Sequence, residues 1–301
     1  MSLSTKFNVE NTVPEAFLQR AGKQGHPIDA VIIVLLPTIL CFVYLFPESI
    51  RQSLVFDYTD PSLRTAFSSA FIHLDLTHLI VNVVTYALVV PVVYLLNIMS
   101  ERRSLFYSTF LTFSFIFPVV LAYLNLAIFR PSAAFGFSGI VMAFVGFLPI
   151  ALADFLETNF DIGPGKAIAP MLFFLGIALI SVLSVRSIIP ENKTVLLGNS
   201  ALALVALLSA VLYALSVYKE ESVFRSKFRH AVDTAGYVEL AAISLVLFFA
   251  FPFVAFPSNV TIGGSQLNLY VHLLGYSLGF IIVYTQQWCR PAAGRQSPVH
   301  A

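Results

Sequence analysis

Eight long apolar runs dominate the chain, at about 28–46, 78–98, 105–129, 138–155, 167–189, 195–218, 237–256 and 267–286. An α-helix rises 1.5 Å per residue and the hydrocarbon core of a bilayer is about 30 Å thick, so roughly 20 apolar residues cross it. Each run is long enough for that, and too long for an ordinary strand. The pattern predicts eight membrane helices in an all-α, polytopic bundle. The connectors carry the punctuation: "FRPSA", "DIGPG", "RSIIPENK" and "FPSNVTIGGSQ" gather the Pro, Gly and charge that end helices. No fixed-period repeat or low-complexity tract interrupts the series, and only the two ends look disordered.

Composition agrees with the pattern. Hydrophobic residues make up 58% of the 301 and charged ones 11%, with a mean hydropathy of +0.85. Soluble domains carry about 25% charged residues, so most of this chain is solvated by lipid. A net charge of +1 argues against a nucleic-acid binder. Charge placement then orients the bundle. With the N-terminus inside, Lys6, Arg20, Lys23, Arg102, Arg103, Lys166, Lys219, Arg225, Lys227, Arg229, Arg290 and Arg295 fall on the inner side. Arg51, Arg64, Arg130, Arg186 and Lys193 fall outside, which is 12 against 5 of the 17 Lys and Arg. The positive-inside rule gives N-in and C-in.

The chain therefore divides into a polar inner tail at 1–27, a transmembrane domain at 28–286 and a second inner tail at 287–301. The first tail has no signal-peptide pattern, so the first run is expected to stay in the membrane. Cys41 and Cys289 have no disulfide or metal-ligand spacing and are expected to pack as small apolar groups. Two sequons, "NKT" at Asn192 and "NVT" at Asn259, fall outside but close to the membrane.

Chemistry enters at residues 134–147, AFGFSGIVMAFVGF. Ser138 lies between Gly136 and Gly139 at the outer mouth of an inward-running helix. Alone, this motif describes a helix-packing seam with a hydroxyl bonded to its own backbone. Other polar groups share its depth, however. The second run opens "FIHLDLTHLIVNVV", with His73, then His78 and Asn82 spaced i, i+4 on one helix face. The eighth, "LNLYVHLLGYSLGFIIVY", carries His272 some four residues inside its outer end. Polar groups within spans are costly and tend to be functional. A serine and a histidine suffice for nucleophilic catalysis, the imidazole taking the hydroxyl proton and returning it to the leaving amine. His78 and Asn82 are candidates to donate to an oxyanion, with the Ser138 backbone N–H as a further donor.

G-F-S-G leading one helix, H-x4-H-x3-N leading another and H-x2-G-x3-G on the last resemble the rhomboid family of intramembrane serine proteases. Ala143 and Gly146 stand at the small positions that the family uses after its serine, and "SERR" at 100–103 resembles its charged inner loop. The resemblance covers about 60–150 and 267–285. It implies Ser138 as nucleophile, His272 as general base, His78 and Asn82 as oxyanion-hole side chains and His73 in support. Gly275 and Gly279 are suited to bringing the eighth span against Gly139, Ala143 and Gly146. The family's core has six helices, so residues 167–218 are expected to be an inserted hairpin, with 237–256 as the gating core helix. Met142 replaces a tyrosine that stacks on the histidine, Leu63-Arg64 a Trp-Arg pair, and Val271 an alanine.

The implied activity is endopeptidase cleavage of transmembrane segments near the outer leaflet of the cell membrane, without metal, cofactor or ATP. Its partners would be membrane-protein substrates with helix-destabilising segments and the bilayer itself. An inactive rhomboid-like protein that binds membrane clients is the alternative. A transporter lacks charge pairs at the midplane, H-E-x-x-H is missing for a metalloprotease, and His73–Asp75–His78 offers only a weak metal site.

Overall fold

The computed structural model describes residues 17–128, 133–187, 193–220, 231–232, 234–258, 261–262, 265–266 and 268–289. Among the described residues, eight helices are long and apolar enough to cross a membrane. They are α2 (Pro27–Tyr44), α5 (Leu76–Met99), α6 (Arg103–Leu126), α7 (Ser138–Phe160), α8 (Gly165–Ser187), α9 (Lys193–Glu220), α10 (Tyr237–Ala255) and α11 (Leu269–Cys289). Among the described residues, the short helices that accompany them include α1 (Phe17–Gln24), α3 (Glu48–Ser53) and α4 (Leu63–Ser68). Two-residue strands β1 (Phe56–Asp57) and β2 (Ala133–Ala134) pair antiparallel, as do β3 (Thr261–Ile262) and β4 (Ser265–Gln266). The chain is an all-α, multi-pass membrane protein.

Local signals set the helix ends. The Asp75 carboxylate accepts the His78 N–H at 2.9 Å and starts α5. Pro27 follows a cap in which His26 accepts from Ile28 N–H and Asp29 accepts from His26 N–H. Asp161, left-handed at φ 59°, stops α7. Within α6 a π-turn at Thr112–Ile116 precedes Pro118, whose missing N–H breaks the regular ladder there.

The serine helix α7 is the axis of the bundle. It packs against α5, α8, α10 and α11, and 94% of its central stretch is buried, against 11% for α9. Side chains such as Val34, Leu88, Leu204, Leu212, Val246 and Phe253 face outward, where lipid covers them. Cys41, expected to pack, is exposed on α2; its position on the helix, not its size, decides that. The side chain of Cys289 and both sequon asparagines lie outside the described residues.

Two further features depart from expectation. Residues 17–24 of the predicted polar tail form a helix docked on the bundle. Arg20 donates to Asn159 Oδ1 at 3.0 Å, to Tyr237 Oη at 3.3 Å and to the Met99 carbonyl at 3.2 Å, and the Phe17 ring meets Tyr237 edge-on. These polar partners come from three helix ends that a local pattern does not bring together. The segment at 167–218 is also unequal: α8 packs against α7 and α10, whereas α9 leans chiefly on α8. Tyr276 of α11 donates to the Phe173 carbonyl and stacks on the Phe173 ring, so α8 belongs to the core.

Candidate active site

The connector before Ser138 is held from two sides. β2 pairs with β1, placing Ala134 opposite Phe56. The Gly136 N–H then donates to the Ser69 carbonyl at 2.9 Å, and the Phe137 N–H approaches His73 Nε2 at 3.5 Å. Gly136 has φ +106°, and a Cβ there would lie 2.7 Å from His78 Cε1. The position needs glycine for its backbone angle and for the imidazole stacked over it. Ser138 follows, half-buried, as the first residue of α7. Ile140 and Val141 N–H both reach the Phe137 carbonyl. The preceding N–H groups, on Ser138 and Gly139, start the helix with no turn before them to bond.

His272 sits one turn into α11 and is buried. Asn268 caps this helix, its Oδ1 accepting the Val271 N–H at 3.2 Å. The Asn268 amide donates to Asn125 Oδ1 at 2.9 Å, and Asn125 in turn donates to the Tyr58 hydroxyl. Burial pushes the Tyr58 phenol up to about 12, so it stays protonated at any working pH. His272 Nδ1 lies 2.8 Å from the Ala255 carbonyl oxygen at the end of α10, and the Phe256 ring meets the imidazole edge-on at 6.0 Å.

Helices α7 and α11 touch backbone to backbone. A Cβ on Gly275 would collide with the Gly139 carbonyl, one on Gly279 with that of Ala143, and one on Gly146 with that of Tyr276. Val271 closes the top of the seam, 2.6 Å from where a Gly139 Cβ would stand. The two helices that carry Ser138 and His272 are thus as close as main chains allow.

On α5, His78 Nε2 is buried and has no hydrogen-bond partner among the described residues. Asn82 is engaged instead. Its amide nitrogen, which can only donate, lies 3.0 Å from His73 Nε2 and 3.0 Å from the His78 carbonyl. His73 Nε2 is therefore an acceptor. Both Asn82 hydrogens are engaged in this structure, where Asn82, expected as an oxyanion donor, brackets His73 and the backbone of α5. Arg51 donates to the carbonyls of Phe46 and His73 and lies over the Tyr44 ring, tying the first loop to this bracket.

Ser138, His78 and His272 line one cleft of about 110 Å³, with Gly136, Asn125 and Asn268 in its wall. That volume holds several waters. A second, more apolar cleft between α5 and α10 shares the same three residues and is lined also by Asn82, Met142, Phe251 and Ala255. The structure thus brings Ser138, His272, His78, Gly136 and Gly139 around the first cleft and places Met142 and Asn82 in the second, with His73 behind. Ala143, Gly146, Gly275 and Gly279 lie along the seam below. Among the described residues no cluster of three or more His, Cys, Asp or Glu is arranged to hold a metal ion, His73, Asp75 and His78 included.

Sequence reasoning missed four participants. Asn268 carried a legible signal, an Asn before an apolar run. Asn125, Phe256 and the Ala255 carbonyl carried none, because each matters only through a neighbour distant in the chain. Fold and site define a helical membrane protein with a polar cleft at one end of its bundle. Comparison with family profiles, curated proteins and solved structures finds no match.

Proposed function

We propose that the chain is an intramembrane serine endopeptidase of rhomboid-like design. It lies N-in and C-in, with α2, α5, α6, α7, α10 and α11 as the six rhomboid-like helices and α8–α9 as an inserted hairpin whose first helix packs into the bundle core. One observation carries the reading: Ser138, His272 and His78 face one cleft of about 110 Å³, with room for several waters, at the start of three helices.

In this reading Ser138 Oγ attacks the scissile carbonyl while His272 Nε2 takes the hydroxyl proton. The resulting oxyanion accepts from the His78 imidazole and from the Ser138 backbone N–H, each such donor contributing about 3–4 kcal/mol. The C–N bond then breaks, the amine leaves with the proton from His272, and the acyl group stays on Ser138. Water enters through the cleft and attacks the acyl carbon as His272 takes its proton; His272 then returns a proton to Ser138 Oγ as the Oγ–C bond breaks and the acid leaves. Substrates are membrane-protein segments that unwind near the outer leaflet, since a helical peptide bond is shielded by its own hydrogen bonding.

The test combines a fluorophosphonate probe with a model transmembrane substrate, applied to the purified protein and to Ser138→Ala and His272→Ala. Labelling and cleavage are expected in the parent alone. Cleavage that survives in Ser138→Ala would overturn the proposal, and absence of both labelling and cleavage in the parent would favour the inactive, client-binding alternative.

A further inference from the structure

The helix α10 ends beside His272. Its last N–H, on Phe256, turns back to the Pro252 carbonyl at 2.9 Å, and the carbonyls of the final turn have no further helix to bond. One of them, on Ala255, meets His272 Nδ1 at 2.8 Å. A carbonyl oxygen can only accept, so Nδ1 carries the proton. A neutral imidazole has one N–H, which leaves the lone pair on Nε2.

We infer that the Ala255 carbonyl is a third, positioning member of the Ser138–His272 pair, fixing the tautomer and plane of the base; this rests on the function proposed above. Soluble serine proteases use a carboxylate for this purpose. A carboxylate at this depth would itself need partners, since burying an unpaired ion is prohibitive. A helix C-terminus supplies partial negative charge, about half an elementary charge, without an ion to desolvate. It steadies the imidazolium formed when Ser138 gives up its proton. The Phe256 ring, edge-on at 87°, limits rotation of the imidazole out of this plane. In this way the chain does without the tyrosine that Met142 replaces.

The experiment weakens that one carbonyl. Replacing Phe256 by phenyllactate turns the Ala255–Phe256 amide into an ester, whose carbonyl is a poorer acceptor. The control replaces Val254 by its α-hydroxy analogue, which weakens the Phe253 carbonyl and deletes a helix N–H just as the test ester does. The full chain in nanodiscs, ¹⁵N-labelled at its 6 histidines, is read by NMR, with His272→Gln assigning the signals. In the parent, His272 is expected to be protonated on Nδ1 and bare on Nε2. The ester at 256 should mix the tautomers and lower kcat by about tenfold with KM unchanged; the ester at 254 should do neither. A His272 protonated on Nε2 in the parent, or an unmoved tautomer in the ester at 256, would overturn the inference. The tautomer is read independently of turnover. Failure of the protease reading, seen as cleavage in Ser138→Ala, is therefore a separate outcome.

Discussion

Asn82 and Gly136 act on the site through the imidazoles they pack against. Asn82 holds His73 Nε2 and the His78 carbonyl at 3.0 Å each. Asn82→Ala removes both contacts at a buried site, and losing a buried donor costs about 1–3 kcal/mol. A lower thermal midpoint is the expected outcome, read in a detergent melt. An unchanged midpoint with slower probe labelling would instead make Asn82 a direct donor to the substrate. Gly136→Ala meets two penalties at once, φ +106° and a Cβ 2.7 Å from His78 Cε1. Such backbone strain costs about 1–3 kcal/mol, and His78 must shift. Fluorophosphonate labelling of Ser138 should then slow markedly, a result that an intact labelling rate would contradict.

At the scale of elements, the contact between α7 and α11 decides whether a site exists. The glycines there face carbonyl oxygens, which cannot move aside as a flexible side chain can. Gly275→Ala and Gly279→Ala are each expected to push α11 outward, with an overpacking penalty of about 1–3 kcal/mol and loss of labelling. Gly198 on α9 has nothing within 4 Å of its Cβ position. Gly198→Ala should therefore leave labelling intact and raise stability by up to about 1 kcal/mol, the helix-propensity gain. Equal effects of the three substitutions would show that the seam is not what they report. The sequence displayed these glycines as a spacing on each helix. That the two spacings mesh depends on the register between helices 130 residues apart, which no local pattern encodes.

For the whole molecule, the end opposite the cleft acts as the fastening. Asp29 is 1% exposed and accepts from Arg103 Nε at 3.1 Å and Nη2 at 2.7 Å, and from the hydroxyls of Tyr94 and Tyr107. One carboxylate so joins α2, α5 and α6. Asp29→Ala should cost about 3 kcal/mol, the lower end for breaking a buried pair, because the Arg103 side chain keeps 41% exposure and can turn to solvent. The expected readout is a lower thermal midpoint, with the cleft still labelled at low temperature. At the same end Arg20 links α1 to the ends of α5 and α7 and the start of α10.

The sequence by itself determined the number of spanning helices and their limits to within a few residues. A bilayer demands about 20 apolar residues per crossing, and that demand is written locally. It also determined which polar side chains share one depth, since depth follows from distance along a helix. The tertiary structure decided what those side chains touch. It set Asn82 against His73 rather than free in the cleft, folded Phe17–Gln24 onto the bundle and gave α8 a place in the core. It also turned an unmarked alanine carbonyl toward His272. Each depends on rotation and register between helices far apart in the chain, and these are fixed by packing around α7 rather than by any one segment.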